Sequence, residues 1–468
     1  MTDAQQQKMT GANPPLRFAE GMLLLTGYPK GAVSAPWKWD PRQDVHTCFA
    51  MHYAAVLPAI RQQYPACQFQ PPWPTVTWPR PNLLPLRTNQ QEAVAAWLPS
   101  RHGVIVMPTG TGKTEIALLL MKELAVPTLI VSPVRDLMYQ WHQRILDRLG
   151  YDAGIVGDNT FNKRPITVTT YDSAWIHMRD FGDEFQFVIF DECHHLPGRT
   201  RSEAARMCMA PYRLGLTATP ERSDGREVAL EELIGPVVYR RSITQESGKD
   251  LAAYDIIRIP VRLLPEERAK YDECSRIIRH HMAARRKTNP NYSGINLRYD
   301  WATDPEARRV LRAERLKKSI EDRATEKLRI LEDIFRLHPN TPVLVFTNTN
   351  IMARAVSLRF LIPCILNHSR KKERRDFIAG LSSGKYPAIV ANRCLDEGVD
   401  LPAAKVAVVL GGTASRSQAA QRLGRVIRKK GEQKAALYEV VCEDTKEVQR
   451  SRTRRKSDAY ARTRHMHL

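Results

Sequence analysis

Five consecutive side chains in the run FDECHHLPGRT have types that can do chemistry: Asp191, Glu192, Cys193, His194 and His195. A structural zinc site needs four ligands at suitable spacing, and adjacent side chains on one short stretch cannot all face one ion. A Cys–His nucleophile needs a third group to orient its base, and the sequence offers no evident one. Zinc and cysteine chemistry are therefore minor alternatives, and the two carboxylates are the stronger candidates.

A glycine-rich turn lies upstream in the stretch VIVMPTGTGKTEIALLLM, between an apolar run and a helical pattern. Gly110 and Gly112 allow backbone N–H groups to crowd around phosphates, Lys113 adds a positive charge, and the Thr114 hydroxyl suits Mg²⁺. The strict pattern has glycine where this chain has Met107. We predict that a nucleotide contacts seven residues here: Pro108, Thr109, Gly110, Thr111, Gly112, Lys113 and Thr114.

The apolar run FVIF immediately precedes Asp191, so both carboxylates lie at the carboxyl end of a predicted strand. Doubly wound parallel sheets bind their ligands at this end. With a phosphate loop upstream, Asp191 fits an acid that holds Mg²⁺, and Glu192 fits a residue that activates the attacking water. The sequence therefore predicts a catalytic site that combines Lys113, Asp191 and Glu192.

Short apolar runs alternate with helical stretches in two separate parts of the chain, which predicts an α/β fold with two parallel-sheet domains in tandem. A proline-rich stretch and a charged helical stretch interrupt this pattern. We predict a disordered segment at 1–14, a small N-terminal domain at 15–70, a Pro-rich linker at 71–85, α/β domains at 86–245 and 246–445, a helical insertion at about 265–325, and a basic, mobile tail at 446–468.

The formal net charge of +21 over 468 residues favours a polyanionic partner, because such an excess costs self-repulsion. Eight cysteines are scattered without a CxxC pair, which is typical of a reducing compartment. The chain shows no apolar signal core and no segment of membrane-spanning length. We therefore expect a soluble, cytoplasmic protein that has no membrane partner.

The phosphate loop, DECH and GLTATP, in this order, resemble the superfamily 2 helicases and translocases over residues 86 to 443. The resemblance implies two RecA-like domains that use ATP and Mg²⁺. The stretch LRTNQQEAV resembles the Q motif, in which Gln90 would read adenine. The resemblance also implies that His194, Thr217 and Thr219 couple the nucleotide state to the grip on a nucleic-acid strand.

Two stretches of the second half complete the resemblance. CLDEGVDLP implies that Gly398 and Asp400 reach the nucleotide. In QAAQRLGRVIRKK, Gln421, Arg425 and Arg428 fall on one face of a helix, where two guanidiniums can stabilise transition-state charge on the γ-phosphate.

Four further stretches resemble family motifs: TLIVSPVRDLMYQW, VTTYDSA, ERSDG and VLVFTNT. The motifs among them that grip the strand hold the nucleic-acid backbone rather than the bases. The predicted backbone contacts are Arg135, Thr169, Thr170, Arg222 and Thr347. Arg222, Ser223 and Asp224 resemble the Arg-Glu-Asp element of the XPB family, with serine in place of glutamate. This difference weakens the expectation that the protein separates DNA strands. The expectation that it moves along DNA is unchanged.

The N-terminal segment resembles the small domain that precedes the motor in XPB-like proteins, and the resemblance implies a domain that senses distorted DNA, with a packing domain as the alternative. The insertion lies where that family carries a thumb-like element. Its Arg and Lys residues, with Tyr292 and Tyr299, would either grip nucleic acid or form a solvated helical pair.

We expect an ATP- and Mg²⁺-dependent DNA helicase or double-strand translocase that, by resemblance, moves 3′ to 5′ in repair or phage defence. Its partner would be duplex or forked DNA, bound mainly through the phosphate backbone. One alternative is an RNA helicase. Another is a nucleotide-gated DNA-binding subunit that recruits a separate nuclease without unwinding.

Overall fold

The computed structural model of the chain describes residues 16–63, 69, 71, 73–222, 224–246, 252–366, 368–392, 404–411, 434–455, 460 and 463–466. The chain divides into two compact units, Met1–Arg241 and Ser242–Leu468. Each unit contains a large sheet of mainly parallel strands, which confirms the predicted fold class.

A small antiparallel sheet begins the first unit. Its elements are β1 Leu16–Ala19, β2 Met22–Leu25, β3 Lys38–Asp40, β4 Val45–Phe49 and the helix α1 Tyr53–Gln63. The strand order is β1-β2-β4-β3. Glu20 and Gly21 connect the first two strands with φ values of 51° and 78°, the left-handed pair that two-residue hairpins favour. The turn therefore defines the register of this hairpin.

The small domain packs directly on the rest of the first unit. Met209 belongs to the same apolar cluster as the residues of the small sheet, and the guanidinium of Arg206 lies 5.6 Å from the centre of the Phe49 ring. The indole N–H of Trp73 donates to the Asp183 carbonyl at 2.8 Å. The domain is thus docked on the α/β domain.

The proline-rich connector after residue 73 is extended and follows the surface of the first α/β domain. The Val76 N–H donates to the Ala125 carbonyl at 2.8 Å, and the Asn82 N–H donates to the Arg148 carbonyl at 2.7 Å. Prolines cannot donate such bonds, and the residues between them supply the donors.

The first α/β domain has eight strands in the order β12-β5-β11-β10-β6-β9-β7-β8, parallel except for the hairpin β7–β8. Its strands are β5 His102–Val106, β6 Thr128–Ser132, β7 Gly154–Gly157, β8 Thr160–Asn162, β9 Ile166–Thr170, β10 Phe187–Asp191, β11 Tyr212–Thr217 and β12 Val237–Arg240. Its helices are α2 Thr88–Trp97, α3 Lys113–Leu124, α4 Arg135–Leu149, α5 Tyr171–Phe181, α6 Arg201–Arg206 and α7 Ala229–Leu233.

The second unit has a seven-stranded sheet in the order β15-β16-β14-β17-β18-β13-β19, in which every described pairing is parallel. Its strands are β13 Tyr254–Val261, β14 Val343–Thr347, β15 Cys364–Ile365, β16 Ala388–Ala391, β17 Val406–Leu410, β18 Ala435–Cys442 and β19 Thr463–His465. Its helices are α8 Ile243–Glu246, α9 Pro265–Thr288, α10 Gly294–Asp300, α11 Pro305–Arg323, α12 Thr325–Leu337, α13 Asn350–Phe360, α14 Lys371–Ser382 and α15 Lys446–Arg454. Helices α9 to α11 follow β13 as a helical insertion with its own apolar cluster.

The expectation of a mobile tail is wrong for α15, which buried ion pairs hold in the second unit. The Lys327 ammonium lies 2.8 Å from the Glu447 carboxylate, and both side chains are fully buried. Arg454 pairs with Glu439 in the same way. Burial alone would raise the pKa of Glu447, but the Lys327 ammonium holds it below its usual value. Glu447 and Arg454 of the predicted tail therefore face inward and neutralise partners in the core.

Across the described ranges, no helix combines the length and the apolar character needed to cross a membrane.

Candidate active site

The carboxyl ends of five parallel strands bring the predicted motifs of the first unit to one edge of the sheet. β11 pairs with β5 on one side and with β10 on the other, with Thr217 opposite Val106 and Asp191 opposite Leu216. β6 and β9 continue the same edge, with Ser132 opposite Thr170. The phosphate loop follows β5, and the acids end β10, so parallel pairing places them next to each other.

The phosphate loop adopts backbone conformations that require its glycines. Gly110 and Gly112 have φ values of 90° and 82°, and Gly112 is the residue before α3. The Lys113 ammonium donates to the Met107 carbonyl at 3.0 Å, and it is 3.4 Å from the Pro108 carbonyl. Met107 itself is fully buried in the apolar core. Methionine is therefore tolerated where the strict pattern has glycine, because this residue extends β5 and does not form the turn.

Gln90 supports this loop in the structure. Its side chain is buried, and its amide N–H donates to the Thr111 carbonyl at 2.8 Å, while its amide oxygen accepts from the Arg87 N–H at 2.9 Å. A Cβ on Gly112 would lie 2.4 Å from the same amide nitrogen. Gln90 thus connects α2 to the phosphate loop, and its predicted role in reading adenine stays a prediction.

The Asp191 carboxylate is held by two donors. The indole N–H of Trp141 donates to Oδ2 at 2.8 Å, and the Glu192 N–H donates to Oδ1 at 3.0 Å. Tyr171 donates its hydroxyl proton to the Asp191 carbonyl at 3.0 Å. These contacts fix the carboxylate at the end of β10.

The two adjacent carboxyl groups have opposite electrostatic surroundings. Burial raises the pKa of Asp191, and the negative charge of Glu192 raises it further, while Trp141 and Lys113 oppose this change. Burial alone would also raise the pKa of Glu192, but the His194 imidazole and the Lys113 ammonium outweigh it and hold the pKa low. One acid is thus easily protonated, whereas the other stays ionised.

Glu192 also has an unusual backbone, with φ 46° and ψ 54° in the left-handed region. Such conformations cost of order 1 kcal/mol for a residue with a side chain and concentrate at functional sites. Its Oε2 atom is buried without a hydrogen-bond partner among the described residues; the His194 Nδ1 atom lies 3.4 Å away. The Thr109 hydroxyl of the phosphate loop is also buried without a partner in this part of the chain.

These features fit a nucleotide with its metal ion. The lysine ammonium bonds only to carbonyls of its own loop, the N-terminus of α3 faces the turn, and buried oxygens of Thr109 and Glu192 lack donors or cations within the described residues. The lysine ammonium and the N-terminus of α3 can bind an anion, and the buried oxygens can bind a cation or an ordered water. The residues present can therefore hold ATP and Mg²⁺.

A hydrogen-bonded chain leads from the acids to the end of β11. The His194 Nδ1 atom is 3.0 Å from the Thr217 hydroxyl, which in turn bonds to the carbonyl and the N–H of Thr219, each at 3.2 Å. Arg222 binds Asp224 through two nitrogens at 2.8 Å and donates to the His194 carbonyl at 2.5 Å. The three residues predicted to couple nucleotide state to strand grip are thus in contact.

Cys193 points away from this chain of contacts. It is fully buried in an apolar cluster, and burial raises the pKa of its thiol well above the usual value. Among the described residues there is no group of three or more His, Cys, Asp and Glu side chains that could hold a metal ion.

Arg135, a predicted backbone contact, lies at the start of α4 and is largely exposed. Its guanidinium pairs with the Asp158 carboxylate at 2.5 Å, and the Tyr139 hydroxyl donates to the other Asp158 oxygen at 3.0 Å. Asp158 lies in the turn of the hairpin β7–β8 and has a φ of 53°. The sequence analysis did not identify this carboxylate.

The hydroxyls of three threonines that are predicted to contact the nucleic-acid backbone bond to neighbouring groups of the protein in this structure. Thr169 is fully buried and donates to the Val156 carbonyl at 2.7 Å. Thr170 accepts from the Ser173 N–H and caps α5. Thr347 is fully buried in β14 and bonds to the Ala391 carbonyl at 3.2 Å. Their predicted contacts with a nucleic-acid backbone stay predictions, and in this structure the strand-end hydroxyls satisfy neighbouring groups of the protein.

Tyr292 of the insertion is buried, and its hydroxyl donates to Asp300 at 2.5 Å, whereas Tyr299 is 79% exposed; the grip of the insertion on nucleic acid stays a prediction. Five predicted residues lie outside the described ranges: Gly398, Asp400, Gln421, Arg425 and Arg428.

The sequence analysis missed Trp141 and Tyr171, which bind Asp191. Tyr171 directly follows the end of β9, and Trp141 lies within the helix that follows β6; a buried Trp or Tyr generally needs an acceptor for its polar atom.

Solved helicase structures share the fold. The S. cerevisiae protein Dbp5, solved bound to RNA and ADP BeF3, aligns with a TM-score of 0.55 at 14% identity, over 83% of this chain and 90% of that one. The Hef helicase domain of Pyrococcus furiosus aligns with a TM-score of 0.51 at 16% identity, over 78% and 97%. This likeness shows that the chain shares the fold of these structures.

Three family models match the sequence. Residues 16–64 match the xeroderma pigmentosum group B helicase damage recognition domain, residues 83–222 the type III restriction enzyme res subunit, and residues 326–430 the helicase conserved C-terminal domain. The DNA 3'-5' translocase XPB2 of Sulfurisphaera tokodaii is 37% identical over 445 residues, which cover 94% of this chain and 99% of the relative. The chain belongs to the XPB family of superfamily 2 helicases.

Other relatives are longer than the region they share with this chain. The DNA 3'-5' helicase XPB of Kineococcus radiotolerans is 29% identical over 77% of this chain and 60% of its own length. The Danio rerio general transcription and DNA repair factor IIH helicase/translocase subunit XPB is 24% identical over 76% of this chain and 44% of its own length.

Proposed function

We propose that the protein is an ATP- and Mg²⁺-dependent motor that moves 3′ to 5′ on duplex DNA in DNA repair. The observation that carries this proposal is the meeting of the phosphate loop, the Asp191–Glu192 pair and the His194–Thr217 contact at one edge of the first α/β sheet. The XPB family membership and the names of the relatives support DNA as the substrate.

The residues of the first unit have separate tasks in this proposal. When bound, Mg²⁺ neutralises phosphate charge and orients the triphosphate. Lys113 would exchange its carbonyl contacts for phosphate oxygens. Asp191, fixed by Trp141, would hold the metal through its carboxylate. Glu192 stays ionised at neutral pH, so its buried Oε2 can accept a proton from the attacking water.

Coupling to DNA would follow from the next contact. His194 is close to both the Glu192 carboxylate and the Thr217 hydroxyl. A change of charge or position at Glu192 therefore changes the interaction partner of His194, and this reaches the end of β11. Movement on DNA, rather than strand separation, is the activity that the sequence favours, because serine replaces the glutamate of the Arg-Glu-Asp element at position 223.

The test is ATP hydrolysis by the full chain with duplex DNA, single-stranded DNA or RNA. Lys113→Ala and Glu192→Gln should each lower the DNA-stimulated kcat by at least about 100-fold, because they remove phosphate binding and the general base. Lys122→Ala and Glu123→Gln, near the far end of α3, are the matched controls and should retain activity.

Stimulation by RNA but not by DNA would refute the proposal. Displacement of a third strand from a triplex without separation of a duplex would establish translocation alone. Failure of both assays, with DNA-stimulated hydrolysis retained, would instead support a DNA-binding subunit that recruits a separate nuclease.

A further inference from the structure

A buried arginine lies near one edge of the second sheet. Arg258 belongs to β13 and is 8% exposed. In the parallel register it is opposite Glu439 of β18, so the two side chains point to the same face of the sheet. Helix α15 covers this face, because its Ser451 and Arg454 side chains both bond to the Glu439 carboxylate. The Arg258 side chain therefore lies on the face that α15 covers.

Glu439, the acid opposite Arg258, is already bonded to other residues. One carboxylate oxygen accepts from the Ser451 hydroxyl at 2.7 Å, and the other accepts from the Arg454 Nε atom at 2.7 Å. The Arg258 Nε atom is buried and has no hydrogen-bond partner in the described part of the chain. A guanidinium stays protonated in a protein, and burying its charge without a partner is unfavourable. A bound anion would remove this cost.

Further arginines add positive charge at the same place. Burial lowers the pKa of Arg258, and the charge of Arg455 lowers it further. Arg452 acts in the same direction as Arg455, whereas Glu439 and Glu443 oppose them. The Arg455 Nε atom, just past the end of α15, is also buried without a hydrogen-bond partner among the described residues. Two guanidinium groups of this cluster thus have a buried donor that lacks an acceptor.

The arginines outnumber the available acids. Glu443 pairs with Arg262 at 3.4 Å, and Glu439 pairs with Arg454. Within the described ranges, this leaves three neighbouring cations without a carboxylate: Arg258, Arg452 and Arg455. A phosphate group carries about 1.5 to 2 negative charges near neutral pH, so three cations can balance it. Its oxygens also match the planar fork of a guanidinium.

The exposure of the three arginines limits the size of the ligand. Arg452 is exposed and Arg455 is partly buried, whereas Arg258 is almost fully buried. An anion from solvent therefore meets Arg452 and Arg455 before it reaches Arg258. A duplex or a folded partner cannot contact a guanidinium that is buried to this degree, whereas a group of a few atoms can.

We propose that Arg258 and Arg455 bind a phosphate-class oxyanion on the face of the second sheet that α15 covers. The ligand is free inorganic phosphate or the phosphate group of a small phosphomonoester. The buried pairs Lys327–Glu447 and Arg454–Glu439 hold α15 on this face, so the arginines at its carboxyl end are positioned before the ligand arrives. The site uses none of the residues assigned to ATP hydrolysis, and the inference is therefore independent of the proposed function.

The test compares thermal unfolding of the full chain in sodium phosphate with unfolding in sodium chloride at the same ionic strength. Arg258→Met removes the buried cation and leaves an apolar side chain. Arg262→Met is the matched control, because Arg262 directly follows β13 and its side chain is 88% exposed. Lys113→Ala weakens the phosphate loop, which can also bind phosphate. Isothermal titration calorimetry gives the Kd of phosphate.

Without phosphate, Arg258→Met should be at least as stable as the wild type, because it removes a buried charge that lacks an acceptor. At a phosphate concentration about 100 times the Kd, the unfolding constant of the wild-type second unit should fall about 100-fold. Arg262→Met and Lys113→Ala should show the same fall, and Arg258→Met little or none. Arg455→Gln should weaken the response.

Glycerol 3-phosphate distinguishes the two sources of the phosphate group. Equal stabilisation by glycerol 3-phosphate and by inorganic phosphate would show that the site accepts a phosphomonoester. Stabilisation by inorganic phosphate alone would identify the free ion as the ligand.

Three outcomes would overturn the inference. An equal response of Arg258→Met and the wild type to phosphate would show that Arg258 does not bind the anion. A response that is lost in Lys113→Ala and kept in Arg258→Met would assign the anion to the phosphate loop. A clear loss of stability in Arg258→Met without phosphate would show that the protein itself already neutralises this arginine.

Discussion

Replacing Trp141 by phenylalanine tests whether Asp191 must be ionised to support the reaction. The indole N–H donates to this carboxylate at 2.8 Å, and both residues are buried. Phenylalanine keeps most of the ring but removes the donor. A hydrogen bond to a charged group contributes about 1.5–3 kcal/mol.

The expected shift of the pH profile follows from the effect of this hydrogen bond on the ionised form of Asp191. Because the bond favours the carboxylate, its removal raises the pKa of Asp191, which burial has already raised. At 1.36 kcal/mol for each pH unit, the acid limb of kcat/KM should move up by about one to two pH units. Activity falls as pH falls through this pKa, so the variant should be weakest at low pH and recover at high pH. The Mg²⁺ concentration for half-maximal activity should also rise near neutral pH.

The assay is steady-state ATP hydrolysis with saturating duplex DNA, measured against pH and against Mg²⁺. Trp78→Phe is the matched control, because its indole N–H donates to the Lys122 carbonyl at 3.3 Å on the surface of the same domain. An acid limb of Trp141→Phe that coincides with that of the wild type would refute the role given to Asp191. An equal displacement of the acid limb in Trp78→Phe would show that the removal of any indole donor shifts the pH profile.

Two further perturbations follow from the ion pairs. Lys327→Met should lower the free energy of unfolding by about 3–5 kcal/mol in urea titrations, because it leaves Glu447 buried without its partner. Adding Glu447→Leu should recover part of the stability, and an unchanged urea midpoint of Lys327→Met would contradict this reasoning. Asp158→Asn should raise DNA affinity at low salt by no more than about five-fold, since an exposed ion pair with Arg135 is worth at most about 1 kcal/mol; weaker binding would contradict the idea that Asp158 competes with phosphate.

The parallel strands of the site were predictable because most of them contain continuous apolar runs. Strands β5, β6 and β10 each contain such a run, whereas β9 alternates apolar residues with threonine and β11 includes Arg213; the order and pairing of the five strands bring the motifs to one edge. By contrast, β13 escaped prediction because Asp255, Arg258 and Pro260 interrupt its apolar pattern. Arg258 is nevertheless buried, which residue types alone would not suggest.

The partners of the site residues were harder to predict than the residues themselves. Trp141 reaches Asp191 from a position 50 residues earlier, and Asp158 reaches Arg135 from a hairpin 23 residues later. Such pairs depend on how strands are ordered in the sheet, which local patterns do not encode. The hydrogen-bond partners of the threonines were hard to predict for a related reason. A hydroxyl at a strand end can serve a ligand or a neighbouring carbonyl, and only the pairing of the strands decides between the two.

The contacts of the small N-terminal domain reach a strand that carries the site. Met209 packs in the core of that domain and belongs to the segment that joins β10 to β11. Arg213, on β11, is buried and donates to the carbonyls of Ala205 and Ala210 at 3.1 Å, so it ties this segment to the strand. Thr217 ends the same strand beside His194. A displacement of the small domain would therefore act on β11, and on the coupling threonine, entirely within the first unit.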